Sequence, residues 1–232
     1  MTVTNEQPKC IGRVTNLTIK FGPQTVLENF SMNIYQHRIH VLIGASGSGK
    51  TTFLRALNRL NDCFATCHTQ GQINLSLAHK MVAVDCLKMT QLPQLRRQVG
   101  MVFQHPQLLP GSIADNILLP LRVVAGVTGV DANNLTQQAL EQAALWDEVA
   151  GRLDMPATCL SGGQQQRLCL ARTLALQPEI LLLDEPTASL DPHTTHQIEQ
   201  LIIKLAKQYT IVMVCHNEQQ QQRLADYVIK FH

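Results

Sequence analysis

Eight consecutive residues could bind a phosphate group through their backbone and side chains. They read Gly44, Ala45, Ser46, Gly47, Ser48, Gly49, Lys50 and Thr51, followed by Thr52, in the pattern G-x-x-x-x-G-K-[ST]. The glycines let the backbone curl until successive N–H groups converge on an anion at a helix N-terminus. Lys50 adds a positive charge, and the Thr51 hydroxyl can bind Mg²⁺. The segment predicts a nucleotide-binding loop, because a tight turn would need the glycines but not the Lys-Thr pair.

Two acidic residues end an apolar run later in the chain. Ile180 to Leu183 is typical of a buried strand, and Asp184 and Glu185 follow it directly. Charges at that point lie at the carboxyl edge of a parallel sheet, where α/β folds bind ligands. We expect Asp184 to hold Mg²⁺ and Glu185 to polarise an attacking water. The alternative is two acids that only cap the turn before Pro186.

A third segment, Leu160 to Gln164 (LSGGQ), continues as Gln165, Gln166 and Arg167 into a helical pattern. Ser161, Gly162 and Gly163 would present a hydroxyl and uncovered N–H groups to an anion at a second helix N-terminus. Taken alone, the segment could be an ordinary N-cap. Together with the phosphate loop upstream and the Asp-Glu pair downstream, it indicates that Ser161 to Gln164 also bind nucleotide.

The elements that must position these residues follow from hydrophobic periodicity. Residues 11–19 and 26–34 alternate apolar and polar side chains around Gly22-Pro23, which predicts an antiparallel hairpin or small β-sheet. Short apolar runs predict buried parallel strands, and 3.6-residue periodicity predicts helices. The predicted strands are His40 to Ile43, Gly100 to Phe103, Ile180 to Leu183 and Thr210 to Cys215, and the predicted helices are Lys50 to Leu60 and several within about 106–176.

Composition excludes several classes of protein. With 232 residues, 45% of them hydrophobic, the chain can bury the core of one domain. A net charge of +2 gives no electrostatic signal for nucleic-acid binding. The N-terminus is polar, and no apolar run approaches the roughly 18 residues of a membrane-spanning helix. Seven cysteines without the spacing of a secreted scaffold predict reduced thiols in the cytosol.

A metal site other than the Mg²⁺ site is an open alternative. Cys63, Cys67 and His68 could belong to one if Cys86 folded back onto them. Ordinary loop and core cysteines are the favoured interpretation, because structural zinc sites usually show paired C-x-x-C knuckles.

The order of the three motifs resembles the ABC ATPase family over nearly the whole chain. The resemblance implies an α/β P-loop NTPase of ABC type, with a mainly parallel sheet core flanked by helices, an N-terminal antiparallel β-subdomain and an inserted helical subdomain. The expected organisation is a single ABC ATPase domain, 1–232. Its RecA-like core and β-subdomain would occupy about 1–105 and 177–232, and its helical subdomain about 106–176.

The same resemblance assigns smaller motifs. It implies that Phe21 stacks on adenine, although cross-strand packing is the usual role of such an aromatic residue. Gln104 matches the glutamine that reaches Mg²⁺ and the attacking water, and His216 matches the switch histidine at the γ-phosphate. The segment Ser189 to Asp191 matches the D-loop, with Asp191 at the nucleotide. The catalytic set is thus Glu185, His216, Gln104 and Lys50, and the Mg²⁺ ligands are Thr51, Gln104 and Asp184.

Family members act as dimers, in which the signature of one subunit faces ATP bound to the other. A closer resemblance is to the ATP-binding subunits of bacterial phosphate importers. It implies two transmembrane permease subunits, an extracytoplasmic phosphate-binding protein, no nucleic acid, and a cytoplasmic, peripheral location on the inner face of the cell membrane. It rests on residues 57–62, 100–104, 112–117, 144–148, 160–170, 181–186, 216–217 and 219–220.

The chain departs from that group in three places. It stops at His232, where relatives continue with a strand pair and a helix, and we expect the ATP site to be unaffected. Cys215 replaces the usual threonine before the switch histidine, and residues 61–71 are rich in cysteine.

Other functions remain open at this point. They are import or export of another substrate, a non-transport ABC ATPase, and a nucleotide sensor that does not hydrolyse ATP. Non-transport relatives usually carry long coiled-coil insertions or two cassettes, and neither fits in 232 residues.

Overall fold

The structure is a computed structural model that describes residues 8–188 and 190–231. Its strands form one antiparallel and one parallel sheet. In chain order they are β1 (Cys10–Phe21), β2 (Gln24–Tyr35), β3 (Ile39–Ile43), β4 (Cys67–Leu77), β5 (Lys80–Ala83), β6 (Val99–Val102), β7 (Ile180–Asp184), β8 (Thr210–Val214) and β9 (Tyr227–Lys230).

The helices lie mostly between β6 and β8. A π-helical turn, Leu121–Ala125, follows α3, and short 3₁₀ turns join other elements. In the part of the chain that the structure describes, no helix is long and apolar enough to cross a bilayer. The α-helices are α1 (Lys50–Leu57), α2 (Leu92–Gln98), α3 (Asp115–Pro120), α4 (Gly129–Gln142), α5 (Trp146–Val149), α6 (Gly162–Ala175), α7 (Pro192–Leu205) and α8 (Glu218–Leu224).

The predicted N-terminal hairpin is confirmed. β1 and β2 pair antiparallel, with Phe21 opposite Gln24 beside the turn, and the sheet order is β2-β1-β4-β5. Sequence periodicity missed β4 and β5. The first half of β4 is largely solvent-exposed, so its polar residues show no alternation, although they pair with β1.

The second sheet is parallel throughout, in the order β6-β7-β8-β3-β9. Its central strands are apolar because both faces are covered. Alternate residues of β7 enter different cores: Leu181 and Leu183 pack with the helical part of the chain, whereas Ile180 and Leu182 pack with α1 and the antiparallel sheet. All four side chains are at most 1% exposed.

Parallel strands end at the same edge of a sheet, and here that edge collects the predicted site residues. β3 leads into Gly44, and β7 ends at Asp184. β6 and β8 end two residues before Gln104 and His216, respectively. Because β6, β7, β8 and β3 are consecutive neighbours, residues far apart in sequence lie side by side.

Two expectations about helices have different outcomes. The helix expected to reach Leu60 ends at Leu57, because Asn58 leaves helical geometry and Arg59 adopts a left-handed conformation with φ 57°. The predicted helices within 106–176 are α3 to α6, whereas residues 106–114 are irregular and Ser112 forms an isolated bridge with Pro156. The exact subdomain boundaries remain a prediction.

Candidate active site

The glycine-rich loop runs from the end of β3 to the start of α1. Gly47 and Gly49 have φ values of 81° and 91°, which favour glycine, and Gly49 occupies the N-cap position of α1. A Cβ atom on Gly49 would lie 2.8 Å from the Val26 carbonyl oxygen. The backbone therefore needs glycine there both for its conformation and for its close approach to β2.

The Lys50 ammonium lies within the curve of this loop. Nζ donates hydrogen bonds to the carbonyl oxygens of Gly44 at 2.9 Å and Ala45 at 2.6 Å. Burial lowers the pKa of Lys50, while the nearby Glu185 and Asp184 carboxylates oppose that change. A phosphate group in the loop could take over the hydrogen bonds that the carbonyl oxygens now accept.

Thr51 and Asp184 are joined directly. The Thr51 hydroxyl donates a 2.8 Å hydrogen bond to Oδ1 of Asp184, which is 5% exposed. Burial raises the pKa of this carboxyl, and the Thr51 hydrogen bond only partly offsets it. A carboxylate that is costly to ionise gains most from a bound cation.

The residues around Asp184 fit Mg²⁺. Thr51, Gln104 and Asp184 line one cavity of about 420 Å³, and all three carry the oxygen ligands that this cation prefers. Within residues 8–188 and 190–231, no group of three or more His, Cys, Asp or Glu side chains could hold a metal ion. The alternative site built on Cys63, Cys67 and His68 therefore receives no support, and all seven cysteines are free.

Glu185 is held from two sides. The Gln104 amide donates to Oε2 at 3.0 Å, and Nε2 of His216 lies 2.6 Å from Oε1. The Glu185 backbone has a φ of 46°, a conformation that is uncommon outside glycine and recurs at functional sites. Glu185, Gln104 and His216 also line a larger cavity of about 920 Å³. Gln104 lines both cavities and so connects the predicted Mg²⁺ ligands with the predicted base.

The signature segment forms a well-defined helix start. Ser161 is the N-cap of α6, its hydroxyl accepts from the Gln164 N–H at 3.4 Å, and the Gln164 side chain accepts from the Ser161 N–H at 2.9 Å. A Cβ atom on Gly163 would collide with the Thr194 methyl group on α7. None of the described residues that line the Thr51–Asp184 cavity belongs to this segment.

Glu148 is a structural partner of the signature that sequence reasoning missed. Its carboxylate accepts from Gln164 Nε2 and from Arg167 Nη1, both at 2.6 Å. Burial opposes ionisation, but these hydrogen bonds keep the pKa of Glu148 below its ordinary value. These hydrogen bonds join α5 to α6. Glu148 lies 16 residues before Gln164 and 19 before Arg167, so no local sequence pattern predicts the contact.

Phe21 and Asp191 make other contacts in the structure. The Phe21 ring packs edge-on against Phe64, with ring centroids 5.8 Å apart. Its expected stacking on adenine stays a prediction. The Asp191 carboxylate accepts from the His193 and Thr194 N–H groups and caps α7. Ser189 of the predicted D-loop lies outside the described residues.

The fold and this site define a P-loop nucleotide-binding protein. A glycine-rich loop with its lysine opens onto a hydrogen-bonded Thr-Asp pair, and an adjacent glutamate is held by a glutamine and a histidine. Residues 27–188 match the ABC transporter family. The chain belongs to that family and is an ABC-type ATPase, as the sequence resemblance predicted.

Comparisons with known proteins agree with this assignment. The phosphate import ATP-binding protein PstB of Colwellia psychrerythraea is 44% identical over 227 residues, which span 97% of this chain and 80% of that protein. The phosphate import ATP-binding protein PstB 2 of Bacillus licheniformis is 43% identical over 224 residues, which span 95% and 78%, respectively.

Solved structures show the same fold. The cbiO1 protein of Clostridium perfringens, part of the ABC transporter complex cbiONQ, matches with a TM-score of 0.80 and 25% identity over 97% of this chain and 85% of its own. The ATP-binding cassette MJ0796, a dimer in a post-hydrolysis state bound to ADP and Pi, matches with a TM-score of 0.78 and 29% identity over 95% and 94%.

Asp184→Asn should raise the thermal stability of the nucleotide-free protein. The substitution removes a buried charge, and the amide oxygen can still accept the Thr51 hydrogen bond. The pKa of the Asp184 carboxyl is higher in the folded than in the unfolded protein. The contribution of this carboxyl to stability is therefore complete below the pKa of the unfolded state and is lost as the pH rises through the pKa of the folded state.

Calorimetry without nucleotide should therefore show the Asp184→Asn variant melting above the wild type at pH 7.5. The melting temperature should rise by roughly 2–4 °C for each kcal/mol that the substitution adds to the free energy of unfolding. The difference should shrink as the pH falls through the folded pKa of Asp184. Mg-ATP should raise the melting temperature of the wild type more than that of the variant. A variant that melts below the wild type at pH 7.5 would contradict burial as the dominant effect at this carboxyl.

Proposed function

We propose that this chain hydrolyses Mg-ATP at the Thr51–Asp184–Glu185 site and couples that reaction to the import of inorganic phosphate. The observation that carries the proposal is the 44% identity, over 97% of the chain, with a phosphate import ATP-binding protein. The family match over residues 27–188 also covers the phosphate loop, the signature and the Asp-Glu pair.

Lys50, the loop N–H groups and the α1 N-terminus bind the β- and γ-phosphates of ATP in this proposal. Ala45, Ser46 and Ser48 contribute backbone N–H groups. Thr51, Asp184 and Gln104 would hold Mg²⁺, which supplies charge neutralisation at the phosphate oxygens. The direct contact between the Thr51 hydroxyl and Asp184 supports this ligand set.

Glu185 acts as the general base in the proposed reaction. Its carboxylate accepts a proton from the water that attacks the γ-phosphorus, while the Gln104 amide keeps it in place. His216 lies close enough to Glu185 to orient the same carboxylate and, with ATP bound, to donate a hydrogen bond to the γ-phosphate. The positive φ at Glu185 supports a functional role, because such strain persists only where the surroundings enforce it.

A second copy of the chain completes the site. The triphosphate carries several negative charges, and one loop with one lysine neutralises them only in part. Ser161, Gly162, Gly163 and Gln164 of the second copy would add another helix N-terminus. The Ser161 oxygen accepts from the Gln164 N–H, so its own proton remains available for a phosphate oxygen. Asp191 would belong to the same dimer interface.

The proposed assembly contains two ATPase subunits, two transmembrane permease subunits and an extracytoplasmic phosphate-binding protein. The ATPase subunits would lie in the cytoplasm, peripheral on the inner face of the cell membrane, without nucleic acid. A groove below Gln104 would receive a cytoplasmic helix of the permease.

Phosphate uptake tests the proposed substrate. The tagged chain should copurify with its permease subunits from the source membranes, and the complex in proteoliposomes, with its binding protein, should accumulate radiolabelled phosphate on addition of Mg-ATP. A complex that contains Glu185→Gln is the matched control and should accumulate almost none. Uptake of another solute, with no phosphate accumulation, would reject phosphate as the substrate and leave the ATPase assignment intact.

Glu185→Gln should bind ATP and form a stable ATP-dependent dimer, but hydrolyse ATP about 10²–10⁴-fold more slowly, the usual contribution of a general base. The amide keeps the shape of the side chain and loses its basicity. Steady-state phosphate release measures the rate, and size-exclusion chromatography with ATP measures the dimer. Wild-type turnover would remove Glu185 as the base.

Ser161→Arg should leave ATP binding to the monomer unchanged and abolish the ATP-dependent dimer. Ser161 lies outside the Thr51–Asp184 cavity, so the bulky side chain should interfere only where a second copy approaches. Fluorescent nucleotide titration and light scattering give the two measurements. An undiminished dimer yield with ATP would count against the arrangement between copies.

A further inference from the structure

A polar cluster lies beneath the Glu185–His216 contact, and the proposed chemistry does not use it. The cluster comprises Thr187, Glu199, Cys215, Gln220 and Arg223, which line the same large cavity as Glu185 and His216. Glu199, Cys215 and Gln220 are only 1%, 2% and 5% exposed. Polar groups that are buried to this extent destabilise the fold unless their hydrogen bonds are satisfied, so the hydrogen-bond partners within the cluster have to be well defined.

Gln220, on α8, is the centre of the cluster. Its Nε2 donates to Oγ1 of Thr187 at 2.9 Å and to Oε1 of Glu199 at 3.2 Å. Its Oε1 accepts from the Cys215 thiol at 2.9 Å. One carboxamide therefore contacts the β7–α7 loop, α7 and the end of β8 at the same time.

The chemistry of the neighbours fixes which way this amide points. An ionised carboxylate can only accept hydrogen bonds, so Glu199 requires the nitrogen of Gln220 on its side. Arg223 makes a bidentate pair with Glu199, with distances of 2.7 and 2.8 Å, and so compensates the buried charge. With Nε2 directed at Glu199, Oε1 is left to accept from Cys215.

The two segments that Gln220 joins are those that carry the predicted catalytic side chains. Thr187 follows Glu185 by two residues, and Cys215 immediately precedes His216. Asn217 adds a second restraint on the His216 segment, because its side chain caps α8 and accepts from the Gln220 N–H at 3.1 Å. Gln220 thus fixes the distance between the two segments. That distance in turn determines how close Nε2 of His216 lies to Oε1 of Glu185, which is 2.6 Å.

We propose that Gln220 is a positioning residue for ATP hydrolysis: its carboxamide, oriented by the Glu199–Arg223 pair, ties the Thr187 segment to the Cys215 segment and thereby holds Glu185 and His216 in contact. The inference rests on the proposed roles of Glu185 and His216. It assigns Gln220 no contact with ATP, so its loss acts on turnover and not on nucleotide affinity.

Gln220→Met tests the proposal, because methionine keeps the length of the side chain and removes its hydrogen bonds. We expect kcat to fall about 10- to 100-fold, in the range that a misplacement of about 1 Å produces, with an unchanged Kd for ATP. The control is Gln222→Met, the same substitution at an exposed position of the same helix, which should keep wild-type kcat. Wild-type kcat in the Gln220→Met variant would overturn the proposal.

A double-mutant cycle separates positioning from general destabilisation. If Gln220 acts through Glu185, adding Gln220→Met to Glu185→Gln should lower the residual rate less than two-fold, because residues that act as a unit are not additive. Losses that multiply in the double variant would contradict the proposal. Wild-type turnover of Glu185→Gln alone would instead contradict the proposed function, so the two failures are distinguishable.

Thr187 provides a second, independent test if Gln220→Met fails to fold. Thr187→Val removes the hydroxyl that accepts from Gln220 and should lower kcat in the same way, whereas Thr187→Ser keeps the hydroxyl and should retain wild-type kcat. Equal kcat values for the valine and serine variants would overturn the proposal.

Discussion

The convergence of parallel strand ends at one edge of a sheet is the constraint on which the rest of this structure depends. The order β6-β7-β8-β3 brings Gln104, Asp184, His216 and the loop of Lys50 to that edge from four distant parts of the chain. The strands are mostly apolar and are buried on both faces, so they are closely packed and each strand end has a fixed position. Short polar side chains can then meet at 2.6–3.0 Å without long loops.

The electrostatics of that edge are unfavourable without a ligand. Two carboxylates lie at the end of one strand, and burial raises the pKa of Asp184 while it lowers the pKa of Lys50. The protein offsets these costs with hydrogen bonds from Thr51 to Asp184 and from Lys50 to loop carbonyl oxygens. Mg-ATP would replace both sets of contacts with stronger ones. Burial of these charges destabilises the nucleotide-free protein, so a ligand that compensates them should also stabilise the fold.

Contiguous motifs allowed much of the fold and site to be predicted from sequence. Gly44 to Thr51 and Ser161 to Gln164 each form one helix start, so local spacing carries the information, and the ABC-type fold that they predict is confirmed. Long-range contacts could not be predicted in this way. The first half of β4 is polar and exposed, so its sequence shows no strand periodicity. Glu148 and Gln220 contact their partners only after the helices have packed. The roles of the individual site residues remain predictions.

The most direct measurement is a structure of the Glu185→Gln variant with Mg²⁺ and ATP. The account predicts two copies arranged head to tail, with the triphosphate of each ATP between the Gly44–Thr51 loop of one copy and the Ser161–Gln164 segment of the other. It also predicts Thr51 and Asp184 at the cation. A triphosphate bound elsewhere, or a signature segment remote from nucleotide in every assembly that forms in solution, would contradict the account.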